Sequence, residues 1–300
     1  MSNQKTISSR AWGELALLGL FWGGSFLAVR IILDEVAVFT IVLHRTFWAA
    51  LLLWGVVIFR RLPLPRDPRI WGAFLVMGVL NNVIPFGLLT WGQQSIESGL
   101  TAILNAATAM SGALVGALIF ADERLTKRKI LGTTLGFAGV AMAIGLDNLT
   151  RFDLRSMAQL AVLGAGVSYA FAGAWGRIHL TGVAPEVAAA GMLSASTAVL
   201  LPIVLYVDGP VSFDLAPRSI WAIAYLTVIA TAAAYLLYFS VLAQAGASNL
   251  MLVTLLVPPV ALTLGALVLG ETVTWQALAG FGLLALGLVI LDARLFRRGN

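Results

Sequence analysis

The chain of 300 residues contains no cysteine, which excludes disulfides, thiolate metal ligands and thiol nucleophiles. Charge is scarce as well: 11% of residues are charged against 60% hydrophobic, and the mean hydropathy is +0.93. Such a composition excludes an ordinary soluble domain, and no polar stretch is long enough to form one beside a membrane part. No aspartate or glutamate falls deep within an apolar run; Glu14 lies near the end of the first, and the others sit in loops or at boundaries. An obligatory proton relay through an intramembrane carboxylate is therefore not expected. With two histidines and no Gly-x-Ser-x-Gly turn, metal-ligand clusters and a serine elbow are also missing. Ser168 and His179 are too far apart in sequence to suggest a catalytic pair. Neither an enzyme nor a cofactor is expected. The net charge of +5 would suggest nucleic acid only if location were ignored.

What the chain does have is long apolar runs. They fall at about 11–33, 36–59, 70–92, 98–120, 128–146, 157–178, 184–207, 218–242, 248–269 and 274–293. Runs of about 20 residues match a hydrocarbon layer of about 30 Å at about 1.5 Å per helical residue. They show no alternation, and helices satisfy their own backbone groups, so helices are expected and not barrel strands. The expected fold class is all-α: a polytopic bundle of ten transmembrane helices. Met1–Arg10 is short and polar, and the run after it is too long for a signal-peptide core, so the first run reads as an uncleaved span. Basic residues cluster on one side: Lys5, Arg10, Arg60, Arg61, Arg66, Arg69, Arg124, Lys127, Arg128, Lys129, Arg177, Arg294, Arg297 and Arg298. Only Arg151, Arg155 and Arg218 fall on the other, which predicts two cytoplasmic termini in the cell (inner) membrane.

The runs also repeat. Glu123 and Glu271 lie 148 residues apart, and at that offset Thr126 meets Thr274, Gly132 meets Gly280, Leu135 meets Leu283 and Gly139 meets Gly287. More faintly, Leu15-Ala16-x-Leu18-Gly19 matches Leu160-Ala161-x-Leu163-Gly164, with Phe26 against Phe171. Five spans per copy is an odd number, so the second copy starts on the opposite face. Residues 1–147 are expected to form one five-helix unit, 148–155 an external linker and 156–300 the inverted second unit, with a central cavity between them.

Trp22-Gly23-Gly24-Ser25-Phe26, Arg45, and runs ending in Glu123 and Leu269-Gly270-Glu271 resemble the drug/metabolite transporter superfamily, in its ten-helix EamA-like exporter branch. The resemblance covers essentially the whole chain. It implies an inner-membrane carrier exporting amino acids, other metabolites or drugs, some members handling aromatic amino acids. One departure stands out. That family commonly has a proline thirteen residues before each repeated glutamate; Pro258 fits, whereas the first copy has Met110, which removes the expected helix breaker from span 4.

Each candidate site residue has a functional and a structural reading. Arg45 lies about 14 Å along the second span, where a cation costs at least about 2.5–3.5 kcal/mol. It reads as the partner of a substrate carboxylate or as a brace for backbone carbonyls. His44 beside it reads as a proton carrier or as packing. Polar and aromatic stripes at helical spacing mark inward faces: Thr101, Asn105, Thr108 and Gly112; Thr227, Thr231, Tyr235 and Tyr238; Ser168, Phe171 and Trp175; and Asn81 with Pro85. Either these line a cavity or they bond between helices. Trp22 and Trp48 belong to the cavity or to an interfacial belt, whereas Trp12, Trp71, Trp221 and Trp275 read as interfacial anchors. Pro85, Pro258 and Pro259 read as gate hinges or static kinks. Glu123 and Glu271 read as structural elements of the repeat. The glycines of spans 5 and 10 point to close packing, within the bundle or in a homodimer; a monomer is equally compatible.

The leading expectation is alternating-access export of small amphipathic metabolites, above all amino acids, without obligatory ion coupling. Multidrug, other metabolite or phosphate-sugar transport is the alternative within the same superfamily; a channel or an intramembrane enzyme is the alternative outside it. The expected partners are a small-molecule substrate and the bilayer.

Overall fold

The computed structural model describes residues 8–121, 126–145, 154–245, 250 and 252–291. Ten apolar helices cross it in alternating directions: α1 Ser9–Ile32, α2 Val38–Phe59, α3 Pro68–Gly92, α4 Ser98–Ile119, α5 Lys127–Ile144, α6 Leu154–His179, α7 Pro185–Val207, α8 Pro217–Ala245, α9 Val253–Leu269 and α10 Trp275–Leu291. Seven have the length and hydropathy of a membrane span. Of the others, α5 opens on Lys127, Arg128 and Lys129, and α9 and α10 have 17 residues, close to the shortest that cross. No strand occurs among the described residues. Starts and stops are local. Ser8 and Thr126 cap α1 and α5 through their hydroxyls, Pro68 follows the capping Asp67 at α3, and Gly270 ends α9 at φ 66°.

The helices pack as four groups, each drawing on both halves. The pairs α2–α7 and α5–α10 flank two walls, α3–α4–α6 and α8–α9–α1, which exchange under the internal repeat; α7 packs on α3 and α2 on α8. The α5–α10 seam rests on glycine. A Cβ on Gly139 would lie 2.6 Å from the Gly280 carbonyl, and one on Gly132 would lie 2.7 Å from that of Gly287. Backbone-to-backbone approach of this kind is how helices associate without water to drive them together. Gly132, Gly139, Gly280 and Gly287 are thus packed within the chain, whereas Gly282 faces open space.

Three helices are irregular. π segments run over Val79–Val83 in α3 and Tyr225–Ala233 in α8. Helix α4 is interrupted at Ala107, although Met110 stands where a proline was missed. The fourth span therefore breaks without the residue thought to be required. The break has its counterpart in α9, because Ala107 N–H bonds the Leu104 carbonyl at 3.1 Å and Leu255 N–H bonds that of Leu252 at 3.0 Å.

On the face opposite the start of α1, here the distal face, loops of one half cap helices of the other. Asp208 accepts from the Thr40 N–H and hydroxyl at 2.7 and 2.8 Å, and Glu35 accepts from Ala216 N–H at 2.8 Å. Glu271 accepts from the Ser98 N–H at 3.0 Å and its hydroxyl at 2.7 Å, at the start of α4. Carboxylates suit helix N-termini because unpaired N–H groups and the helix dipole converge there. The structural reading of Glu271 thereby has a geometry; Glu123 lies outside the described residues.

Candidate functional site

Arg45 projects from α2 between the two walls. Its Nε donates to Thr231 Oγ1 at 2.9 Å, and its guanidinium lies 3.7 Å from the centre of the Phe86 ring. Thr231 is free to accept because its own hydroxyl donates to the Leu226 carbonyl at 2.7 Å, five residues back on the π segment of α8. That segment's altered bonding thus holds the arginine through a side chain and not through a bare carbonyl. Among the described residues no carboxylate pairs with Arg45. A cation this far inside is costly unless something anionic or polar reaches it.

The space beside it is a cavity of about 350 Å³. Trp22, Ser25 and Phe26 face it from α1; Asn81, Phe86, Thr90 and Gln93 from α3 and its end; Asn105 and Thr108 from α4. Tyr169 and Gly173 complete it from α6, Thr231, Tyr235 and Tyr238 from α8, and Thr254 and Val257 from α9. Its polar groups are partly tied. Asn81 Nδ2 donates to the Tyr235 hydroxyl at 3.0 Å, Tyr235 donates to Asn82 Oδ1 at 3.3 Å, and Asn82 Nδ2 donates to Ser196 at 3.0 Å. Asn105 Oδ1 is buried without a partner. The Trp22 and Tyr238 rings lie 6.0 Å apart. Toward the distal face the walls close: Gln93 Nε2 donates to the Phe26 carbonyl at 2.8 Å, and Glu271 holds Ser98 beyond it. A smaller depression of about 240 Å³ between α4, α5 and α6 holds no charged residue.

Trp22, Arg45, Asn81, Asn105, Thr108, Thr231, Tyr235 and Tyr238 all lie in this lining, the last six of them from the helical stripes. Four other candidates lie outside the lining. His44 turns to the far side of α2, where Nδ1 accepts from Trp48 at 3.2 Å and the ring meets Phe213 edge-on, leaving Nε2 buried and unpartnered. Trp48 is spent on that bond and is 41% exposed. Ser168 donates to the Leu80 carbonyl at 2.7 Å, and Trp175 donates to that of Ala73 at 3.1 Å. Both brace α6 against α3. The inward residues of α6 are Tyr169, one helical step of about 100° from Ser168, and Gly173, two residues before Trp175. An aromatic–glycine pair at i, i+4 was the available signal for them. Phe86 and Thr90 were missed because they sit in an apolar run, and Gln93 because it opens the polar run Gln93-Gln94-Ser95 just past the end of α3. Of the hinge candidates, Pro85 is buried just after the π segment of α3, Pro258 is buried in α9, and Pro259 is exposed.

A family model described as "EamA-like transporter family" matches residues 11–145 and again 156–291. A Bacillus subtilis protein named "Uncharacterized transporter YoaV" is 22% identical over 279 residues, covering 93% of this chain and 95% of its own. A Streptantibioticus cattleyicolor protein named "Probable terminal-alkyne amino-acid exporter" is 28% identical over 295 residues, covering 97% and 96%. A solved structure described as "Crystal structure of protein" superposes with a TM-score of 0.70 at 16% identity, over 97% of this chain and 99% of that one. At that identity the likeness speaks for the fold alone.

Proposed function

The chain belongs to the EamA-like transporter family, and on that premise we propose a carrier that exports small amphipathic carboxylates, amino acids with apolar or aromatic side chains among them. The observation that carries this reading is an arginine without a counter-ion among the described residues, opening on an aromatic cavity of about 350 Å³ between the two halves. That volume lies within the usual range of ligand pockets, about 300–1,000 Å³. Arg45 receives the carboxylate, preoriented by Thr231 and Phe86. Trp22 and Tyr238 take up the apolar body, and the Asn81–Tyr235 bond closes the floor. The name of the Streptantibioticus relative supports the amino-acid version.

The excess of basic residues beside the first helix start supports a cytoplasmic position for that face and the cell (inner) membrane as the protein's location. The distal face is then external. The caps of Asp208, Glu35 and Glu271, with the Gln93–Phe26 bond, tie the external side together, which supports a cytoplasm-facing state. Export proceeds by loading from within, release of the external ties and closure of the walls on the cytoplasmic side. Pro85 and Pro258, beside the helix irregularities, supply the bending points. No acidic side chain lines the cavity among the described residues, which favours flux without an obligatory proton.

Flux of labelled phenylalanine and leucine in proteoliposomes tests this reading, with and without a pH gradient. Saturable movement at carrier-like turnover, indifferent to the gradient, is the expected outcome. Absence of flux for every amino acid removes the amino-acid version.

A further inference from the structure

Resting on the carrier reading above, we propose that the cavity prefers monocarboxylate anions to zwitterions, and that the membrane potential itself drives their export. The substrate it fits best has one carboxylate, an apolar or aromatic body and no ammonium group.

The inference rests on the charge inventory. Arg45 is the single charged residue in the lining, and no carboxylate pairs with it among the described residues. One of its nitrogens, Nε, is engaged by Thr231, and the face of the guanidinium is covered by Phe86. A monoanion cancels this charge and leaves the loaded cavity neutral. A zwitterion also supplies a carboxylate, but it brings an ammonium into a low-dielectric space already holding a cation, where like charges repel strongly. Nothing anionic among the described residues of the lining offsets that. The acceptors on offer are neutral: Asn105 Oδ1, buried and unpartnered, and tyrosine hydroxyls. An ammonium has three N–H groups to satisfy after losing its water, and a neutral oxygen compensates a buried charge poorly. The aromatic body of the substrate, by contrast, finds Trp22 and Tyr238 on one side and Phe86 on the other.

An energetic consequence follows. A carrier that moves a monoanion outward transfers one negative charge per cycle, and an interior-negative potential favours that direction. Export then needs neither a proton nor a buried carboxylate to accept one. A zwitterion carries no net charge and gains nothing from the potential.

Three solutes sharing one phenyl body separate these cases: 3-phenylpropionate, L-phenylalanine and phenethylamine. Their binding to the purified full-length protein, read by isothermal calorimetry, should rank 3-phenylpropionate tighter than phenylalanine by about tenfold or more, with phenethylamine not binding. Arg45→Gln should abolish binding of the anion. Arg45→Lys, which keeps the charge, should retain part of it, and this variant keeps the test meaningful if the glutamine variant does not fold. In proteoliposomes, valinomycin with a tenfold potassium gradient that makes the interior negative should accelerate 3-phenylpropionate efflux and build up to about a tenfold solute gradient. Phenylalanine flux should be indifferent to the same gradient. Equal or tighter binding of phenylalanine, or anion flux blind to the potential, overturns the preference while leaving an amino-acid carrier intact. Failure of all three solutes to bind or move brings down the carrier reading as well.

Discussion

The two halves of the molecule share their backbone irregularities but not the residues that would ordinarily cause them. At the offset of the repeat, the π segment Val79–Val83 of α3 corresponds to positions 227–231, inside the π segment Tyr225–Ala233 of α8. Yet Pro85 follows the first and Ala233 stands at the matching place in the second. The interruption of α4 corresponds to the start of α9, and here the proline is reversed: Pro258 in the second half, Met110 in the first. Each break thus has a proline in one copy only. The difference teaches that tertiary packing maintains these breaks and that proline merely fits them, since a helix surrounded by neighbours can re-pair the groups it frees. Chemistry is divided differently. Arg45 in α2 corresponds to the buried Ala190 in α7, and Asn105 in α4 to Val253 in α9. The scaffold is symmetric, while the cavity is polar mostly from one side.

Removing the strongest asymmetry should have the largest effect. Arg45→Ala, which makes the first half copy the second, is expected to lower flux in proteoliposomes by about 100-fold at equal protein, corresponding to about 2–3 kcal/mol of a charge contact. Next comes an exchange at the breaks. Met110→Pro should destabilise by about 3 kcal/mol, because the Met110 N–H bonds the Ala107 carbonyl at 3.0 Å and its side chain fills the space over Gly136. Pro258→Met should cost under about 1 kcal/mol, both values read from thermal unfolding in detergent. A large loss for the latter would mean that proline does make the break in α9. The seam between the halves offers a third comparison: Gly139→Leu should cost about 1–3 kcal/mol by forcing α5 from α10, while Gly282→Leu, with open space before it, should leave the midpoint unchanged. The smallest effect concerns acid. Glu35 is held below its ordinary value of 4.5, first by the neighbouring Ser219 hydroxyl, which stops short of a formed hydrogen bond, and then by the Ala216 N–H. Its folded pKa is depressed, so its contribution is present above that ordinary value and fades as pH falls through the folded one. A slight acid-side loss of thermal stability that vanishes in Glu35→Gln is the expected signature.

Much of the cavity was legible because a polar group facing lipid is penalised, so a polar stripe at helical spacing points inward. This reasoning located Arg45, Asn105, Thr231 and Tyr235. It went astray by one or two residues in α6, where Ser168 and Trp175 spend their donors on carbonyls of α3 and leave the cavity to Tyr169 and Gly173. It went astray again at His44 and Trp48, which bond to each other on the outer side of α2. An inward stripe has more than one inward neighbour, and sequence spacing does not say which is protein and which is empty space.

By itself, the amino-acid sequence determined that the chain is a helical bundle of two opposed copies, since hydropathy, span length and an odd number of spans per copy leave little else. Only the tertiary structure decided where the helices break, what holds the cation in place and which face is latched. Those outcomes depend on bonds between residues far apart in the chain, such as Arg45 to Thr231 and Glu271 to Ser98, whose geometry exists only once both halves are packed together.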